Sequence, residues 1–190
     1  MSGASAVAVS PSRSEPAVQS HFERFGLPER FELDQAALDE RFRRYQAAVH
    51  PDRHAGGSDA ERRLALRLAA DGNEAHRTLA DPTRRAAYLC ELHGAPIDAE
   101  RNTAMPPGFL IRQMEWREAI DAVRDQPAAA TELAVRLAAE RDRALTRLLG
   151  LLDVEHDYAS AAQAVRQLMF FDKLQAELRL VFRRPASILR

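Results

Sequence analysis

Histidine, aspartate and cysteine are the residue types in this chain whose spacing could support metal binding or catalysis. His50 and His54 lie four residues apart, with Asp52 between them. Such side chains can bind zinc or serve as acid and base in hydrolysis. However, Pro51 and the glycines that follow disfavour a shared helical turn, and neither a further ligand nor an orienting group is nearby. We therefore expect no metal, no bound cofactor and no catalytic site in this segment.

Cys90 is the single cysteine, so the chain forms no internal disulfide and no multi-cysteine metal site. It lies in the apolar stretch 86–90, which predicts a small buried thiol in a helix. The sequence also has no glycine-rich phosphate loop and no nucleophile elbow. We therefore predict that the protein is not an enzyme.

The composition predicts an all-α protein. Of the 190 residues, 46% are hydrophobic and 29% are charged, and strong helix formers dominate while strand-type runs are missing. The net charge of −1 gives no reason to expect nucleic acid or a membrane as a partner. No apolar run is long enough to span a bilayer, and residues 1–20 lack the pattern of a secretory signal. We expect a disordered tail at 1–20 and a cytoplasmic location.

The first long helix should begin after Asp34, a favourable N-cap, and run to about Val49. Its apolar positions are spaced by four, three and four residues, which defines one helical face. These positions are Leu38, Phe42, Tyr45 and Val49. Three arginines point away from that face and should give the helix a basic, solvated side: Arg41, Arg43 and Arg44.

The tripeptide at 50–52 should end this helix, because proline disfavours the helical conformation for the residue before it. Ser58 and Glu61 form a capping box for a second long helix, in which Gly72 should permit a close approach. The predicted buried stripe of this helix consists of Leu64, Leu68, Ala75 and Leu79. Asp81 and Pro82 should open a further helix that stops at Gly94.

Beyond a linker at 96–107, the sequence predicts a second helical unit over 108–190. Its helices should span about 108–124, 129–152 and 157–183, with short connections that favour an antiparallel three-helix bundle. The first of these helices has two apolar faces. Its core-type face comprises Phe109, Trp116, Ile120 and Val123, and its other face comprises Leu110, Ile111 and Met114 beside Glu115 and Glu118.

The second apolar face either packs against the first unit or binds a partner, since apolar patches with polar rims mark interfaces. In the last helix, Phe171, Leu174, Leu178 and Val181 are expected to form the core stripe. Phe170 is expected to lie to one side of that stripe, as a peripheral filler or an interface anchor.

The arrangement of these motifs resembles the J-domain co-chaperones of the HscB family. J domains carry the same tripeptide, His50-Pro51-Asp52, between their second and third helices. The segments similar to HscB proteins together cover about 21–182. They are 25–28, 50–79, 88–94, 102–107, 109–110, 114–118 and 170–174. The resemblance implies a J domain at 21–95 and a client-binding bundle at 108–190.

The resemblance also implies the partners and the contact residues. A J domain docks on a DnaK-class chaperone, such as HscA, and stimulates its ATPase. The positions matching the family's basic face and trigger are Arg41, Arg43, Arg44, His50, Pro51 and Asp52. In HscB-like proteins the client is IscU, the scaffold on which iron–sulfur clusters are assembled. The positions matching its contacts are Leu110, Ile111, Met114, Glu115, Glu118 and Phe170.

Four positions depart from the family pattern: Ile111, Arg112, His76 and Cys90. The first two are expected to alter affinity for a particular scaffold while leaving the general role intact. Two alternative functions fit the sequence less well. A J protein for unfolded polypeptides usually carries a glycine- and phenylalanine-rich linker with a cysteine-rich or β-type client domain, and neither is present here. A helical hydrolase using His50 and Asp52 would have no group to orient them.

Overall fold

A computed structural model of the protein describes residues 19–50, 56–97 and 107–183. The predictions for the N-terminal tail, Pro51, Asp52 and His54 lie outside these residues. The described residues form helices and no strand, as the composition predicted. The helices are α1 His21–Phe25, α2 Gln35–Val49, α3 Asp59–Ala80, α4 Pro82–Leu92, α5 Pro107–Ala122, α6 Pro127–Leu149 and α7 Tyr158–Arg183, with a π-helical turn at Gly150–Val154. None of these helices is long and apolar enough to cross a membrane.

Side-chain caps fix the start of the N-terminal helices where the sequence predicted them. The Asp34 carboxylate accepts the backbone N–H of Ala36 at 2.9 Å, and Ser58 forms the expected capping box with Glu61. Asp81 accepts the backbone N–H of Arg84 at 2.9 Å, with Pro82 at the first helical position. Each of these contacts satisfies an N–H group that the helix itself leaves without a partner.

Helices α2 and α3 form an antiparallel hairpin closed by aromatic side chains. Phe25 of α1 makes edge-to-face contacts with Phe42 and Tyr45, at centroid separations of 6.0 and 5.6 Å. Leu38 is fully buried between the helices. Gly72 lies against the Tyr45 ring and confirms the predicted close approach.

The predicted buried stripe of α3 is correct only in its second half. Ala75 and Leu79 are fully buried, whereas Leu64 is 55% exposed and Leu68 is half-buried. The aromatic contacts of α1 and α2 fall on the second half of α3, around Gly72 and His76. The first half therefore has fewer large side chains against it, and Leu64 stays in solvent.

The C-terminal helices begin and end close to the predicted positions, with one difference. The middle helix was predicted to run to 152, but α6 ends at Leu149 and the chain continues through the π-helical turn. That turn places Leu151 and Leu152 in the core and brings Asp153 to the N-terminal part of the chain. The break predicted near 153–157 is therefore present.

Two hydrophobic cores hold the protein together, and they do not coincide with the two predicted units. The first joins α1–α4 to the end of α6, the π-helical turn and the beginning of α7, so that Leu89 and Cys90 share it with Val165 and Leu168. The second lies at the far end of α6 and α7, where α5 completes a three-helix arrangement. The pair α6–α7 thus packs on the N-terminal helices at one end and carries α5 at the other.

Candidate interaction surfaces

The three arginines of α2 are exposed, as expected, but they lie on two sides of the helix. At about 100° per residue, Arg41 lies about 70° from the centre of the apolar face, while Arg44 and Arg43 each lie about 130° from it. Arg44 is on the same side as Arg41, and Arg43 is on the other side. Arg44 forms an ion pair with Glu40 one turn earlier. The Arg41 guanidinium reaches the α1–α2 connection, where its Nη1 would be 3.3 Å from a Cβ at Gly26.

His50 follows the last residue of α2 and is exposed in solvent. Its backbone is extended, with φ −58° and ψ 129°, as expected for a residue that precedes proline. The structure therefore places His50 at the loop end of the hairpin. Pro51 and Asp52, which complete the predicted trigger, lie outside the described residues.

His76 of α3 joins the α2 surface through two contacts. Its Nε2 lies 2.9 Å from Asp39 Oδ1, and its ring stacks on Phe42 at a centroid separation of 4.1 Å. The hydrogen bond with His76 lowers the pKa of the Asp39 carboxyl, and Gln35 and Arg43 contribute in the same direction. His76 thus fills the place of an aromatic side chain while adding a polar link across the hairpin.

The outer face of α5 presents an uncovered apolar patch. Leu110, Ile111 and Met114 are 47%, 60% and 64% exposed. Their exposure excludes packing of this face against the described N-terminal helices, which was one of the two alternatives. Glu115 and Glu118 are also exposed and form no ion pair with any described residue. The patch therefore has the composition of an interface: apolar residues with an acidic rim.

The opposite face of α5 packs as the sequence predicted. Phe109 and Ile120 are buried in the second core, and Trp116 and Val123 pack against it. Arg136 of α6 lies over the Trp116 ring at 5.6 Å, which covers the outer side of the indole. The core face holds α5 in place, and the exposed patch stays available.

The prediction that Phe170 lies off the core stripe is wrong. Phe170 is only 9% exposed and makes an edge-to-face contact with Phe109 at 5.5 Å. At 100° per residue it lies 40° from Leu174, within the arc that faces α5. Its neighbour Phe171 is the less buried of the two. Phe170 therefore supports α5 from behind the exposed patch.

Two carboxylates that bridge the N-terminal and C-terminal helices were not identified as functional candidates from the sequence. Asp153 binds backbone N–H groups before α2, and Asp172 binds Thr83 of α4. Asp153 lies in the predicted connection between the last two helices, and Asp172 lies within the segment 170–174, which is similar to HscB proteins. Their partners are 122 and 89 residues away, so no local pattern could reveal the contacts.

The described residues contain no group of histidine, cysteine and acidic side chains that could hold a metal ion. Burial raises the pKa of the Cys90 thiol to about 11, which keeps the thiol protonated at neutral pH. Cys90 is therefore a packing residue of the first core.

Comparison with known proteins identifies the family of this chain. The family model described as the HSCB C-terminal oligomerisation domain matches residues 105–179. A co-chaperone protein HscB homolog of Bordetella petrii is 49% identical over 90% of this chain and 99% of the relative. Chaperone HscB from Vibrio cholerae is 37% identical, covers 86% of this chain and 97% of its own, and superposes with a TM-score of 0.76.

The structure of human co-chaperone protein HscB is also similar, with a TM-score of 0.80 at 25% identity over 91% of this chain and 84% of its own. The fold and these similarities define a J-type co-chaperone with a C-terminal helical bundle. The chain belongs to the HscB co-chaperone family.

Proposed function

We propose that this protein binds an IscU-type iron–sulfur scaffold, delivers it to an HscA/DnaK-class chaperone and stimulates the ATPase of that chaperone. The cytoplasm is its proposed location. The observation that carries the proposal is the uncovered patch of Leu110, Ile111 and Met114 on α5. An apolar patch of this kind is costly to leave in water unless a partner covers it, and the exposed acidic residues beside it are typical of the polar rim of an interface.

The scaffold is proposed to bind the outer face of α5. The three apolar side chains would supply the buried centre of the interface, and Glu115 and Glu118 would form its polar rim. Such rim charges mainly set the orientation and the association rate. Phe170 contributes indirectly, because it packs on Phe109 and holds α5 in position.

The chaperone is proposed to bind the hairpin of α2 and α3. Arg41 and Arg44 on one flank, with Arg43 on the other, would steer the hairpin onto an acidic surface. His50 lies at the end of α2, and with Pro51 and Asp52 it would form the trigger. The proline restricts the turn, while the aspartate can form a charge-assisted bond with a chaperone arginine.

The chemistry in this proposal belongs to the chaperone. ATP hydrolysis occurs in the partner, and this chain supplies the surfaces that bind it. A helical hydrolase is a poor alternative, because the sequence offers no group to orient His50 and Asp52. A J protein for unfolded polypeptides is the stronger alternative, and it differs from the proposal only in its client.

The deciding experiment measures steady-state ATP hydrolysis by an HscA-type chaperone with this protein, with and without the scaffold. We expect stimulation by the protein alone and a larger, synergistic stimulation when the scaffold is added. A generic unfolded polypeptide at the same concentration serves as the control client and should give no synergy. Stimulation that does not depend on the scaffold would favour the alternative client, and no stimulation would contradict the proposal.

A further inference from the structure

The N-terminal helices meet the C-terminal helices through an interface rich in small side chains. Helix α7 packs on α4, and it contributes Ala161, Ala162 and Ala164 to the first core. Small residues allow the two helices to approach closely, but the hydrophobic effect is non-directional and does not by itself favour one crossing angle. Beside these alanines, Val165 and Leu168 pack with Leu89 and Cys90, and hydrogen bonds of defined geometry can add a fixed angle to this apolar packing.

Asp153 forms hydrogen bonds of defined geometry at one end of this interface. Its Oδ1 accepts the backbone N–H of Phe31 at 2.6 Å, and its Oδ2 accepts that of Glu32 at 2.8 Å. The Arg30 guanidinium lies 3.8 Å from Oδ2. Because both oxygens bind successive N–H groups of one segment, the carboxylate fixes the connection before α2 in distance and in angle.

The surroundings of Asp153 strengthen this contact. Its side chain is only 10% exposed, so water competes little for its oxygens. The Phe31 ring is buried beneath the Arg85 guanidinium, 5.3 Å away. Burial lowers the pKa of Arg85, and the negative charges of Asp81 and Asp153 oppose that shift. Asp153 therefore also compensates a buried positive charge of α4.

Asp172, about four turns into α7, makes directional contacts at a second point of this interface. Its Oδ2 accepts the Thr83 hydroxyl of α4 at 2.5 Å, and its Oδ1 accepts Arg141 Nε of α6 at 2.6 Å. Thr83 is buried in the first turn of α4. One carboxylate thus ties α4, α6 and α7 together, two residues after the phenylalanine that supports α5.

We propose that Asp153 and Asp172 are positioning residues that lock the J-domain hairpin at one angle to the client-binding face of α5. This fixed orientation, called the lock below, rests on the proposed function and adds how its two binding surfaces are positioned. Two carboxylates, one in the π-helical turn and one on α7, define an orientation that a single contact would leave free to rotate. The distance between a scaffold bound on α5 and a chaperone bound on α2 would then have a single value.

A fixed orientation matters because two binding events on one rigid body raise the effective concentration of one partner at the other. If the angle becomes variable, each partner still binds its own surface, but fewer complexes have the productive geometry. Loss of the lock should therefore reduce the synergy between scaffold and J domain while sparing the two separate interactions.

The test uses the double variant Asp153→Asn/Asp172→Asn. An amide keeps the size of the side chain but replaces one acceptor oxygen with a donor, which opposes the backbone N–H groups bound by Asp153 and removes the negative charge that Asp172 presents to Arg141. Asp142→Asn is the matched control, because Asp142 is exposed on α6 beside Arg141 and its carboxylate bridges no helices. Thr83→Val removes only one hydroxyl and provides a variant that should fold even if the double variant does not.

Two readouts are measured on each full-length variant. Spin labels at Ala70→Cys on α3 and Glu132→Cys on α6 report the distance distribution between the hairpin and the bundle, since both positions are exposed and Cys90 is buried. The second readout is chaperone ATPase activity with and without scaffold, together with scaffold affinity. We expect a broader distance distribution and a synergy lower by on the order of threefold to tenfold, with scaffold affinity unchanged. Thr83→Val should show the same changes to a smaller extent.

An unchanged distance distribution in the variants would overturn the lock. A broadened distribution with full synergy would overturn its role in coupling, and so would a loss of scaffold affinity that matches the loss of synergy. Absence of stimulation by the wild-type protein would instead overturn the proposed function, and the label distances would still decide whether the two carboxylates fix the orientation.

Discussion

The ring of Tyr45 lies directly on the backbone of Gly72, where a Cβ atom would come within 2.8 Å of Tyr45 Cδ1 and closer still to Cε1. The ring cannot easily move away. Its hydroxyl donates to the Leu68 carbonyl at 3.0 Å and accepts from Arg24 Nη1 at 3.0 Å. The contact therefore sets the separation of α2 and α3, the hairpin on which the proposed chaperone-binding surface is built.

Gly72→Ala should destabilise the protein by about 1–3 kcal/mol, because the added methyl group overpacks this contact. The change is expected even though alanine is the better helix former by about 1 kcal/mol. Urea unfolding of both proteins measures the effect. Gly108→Ala is the control, since a Cβ at Gly108 meets nothing within 4 Å and should be neutral or stabilising. Equal stability of Gly72→Ala and wild type would contradict the assigned contact.

Phe170→Ala should lower the free energy of unfolding by about 3–5 kcal/mol, because it leaves a cavity beside Phe109 in the second core. Ile111→Ala, on the exposed face of α5, should change stability by less than about 0.5 kcal/mol. Denaturant unfolding separates the two cases. If Phe170→Ala proved as stable as Ile111→Ala, the side chain would be an accessible contact, as the resemblance to HscB proteins implied.

His50→Gln should abolish ATPase stimulation and leave scaffold affinity intact, because His50 lies on the hairpin, away from α5. The matched variant Leu110→Ala/Met114→Ala should weaken scaffold binding by about 2 kcal/mol or more while retaining stimulation without scaffold. Isothermal titration with the scaffold and chaperone ATPase assays report the two activities. These exposed positions are preferable to Phe170, whose replacement would also disturb the core. A folded variant of either kind that lost both activities would rule out separate surfaces.

The Cys90 thiol should resist alkylation in the native protein. Its pKa is raised to about 11 by burial, so little thiolate forms at pH 8, and reagents cannot reach it. Reaction with a chromogenic disulfide should follow the rate of unfolding and become fast in denaturant. Ala70→Cys provides an exposed thiol in the same protein that should react at once. Rapid reaction of Cys90 under native conditions would show that the first core opens readily.

The link between Asp39 and His76 should make hairpin stability depend on pH in the acid range. The pKa of Asp39 is lowered from its ordinary value of 3.8, first by the hydrogen bond with His76. A depressed folded-state pKa contributes stability above the unfolded value, and this contribution is lost as the pH falls through the folded value. Asp39→Asn should therefore be less stable than wild type at pH 6, and the difference should shrink below about pH 4. Thermal unfolding across this range measures it, and a constant difference would contradict the link.

The sequence by itself determined the local structure of the chain. Caps such as Asp34 and Ser58, the proline at 82 and the apolar spacing of α2 act within one or two turns, so their consequences can be read from neighbouring residues. The two faces of α5 were predictable for the same reason, because helical periodicity separates Phe109 from Leu110 regardless of what packs on either. The resemblance to HscB then supplied the expected partners, and the family membership is confirmed.

Only the tertiary structure decided which apolar faces are covered and how the two groups of helices are joined. Leu64 and Phe170 were assigned to the wrong environments because burial depends on the elements that pack nearby, which periodicity does not identify. Asp153 and Asp172 bind groups 122 and 89 residues away, and a carboxylate at the surface and one at an interface look alike in sequence. Non-local contacts of this kind form only when the whole chain is folded, and they fix the geometry that the proposed function requires.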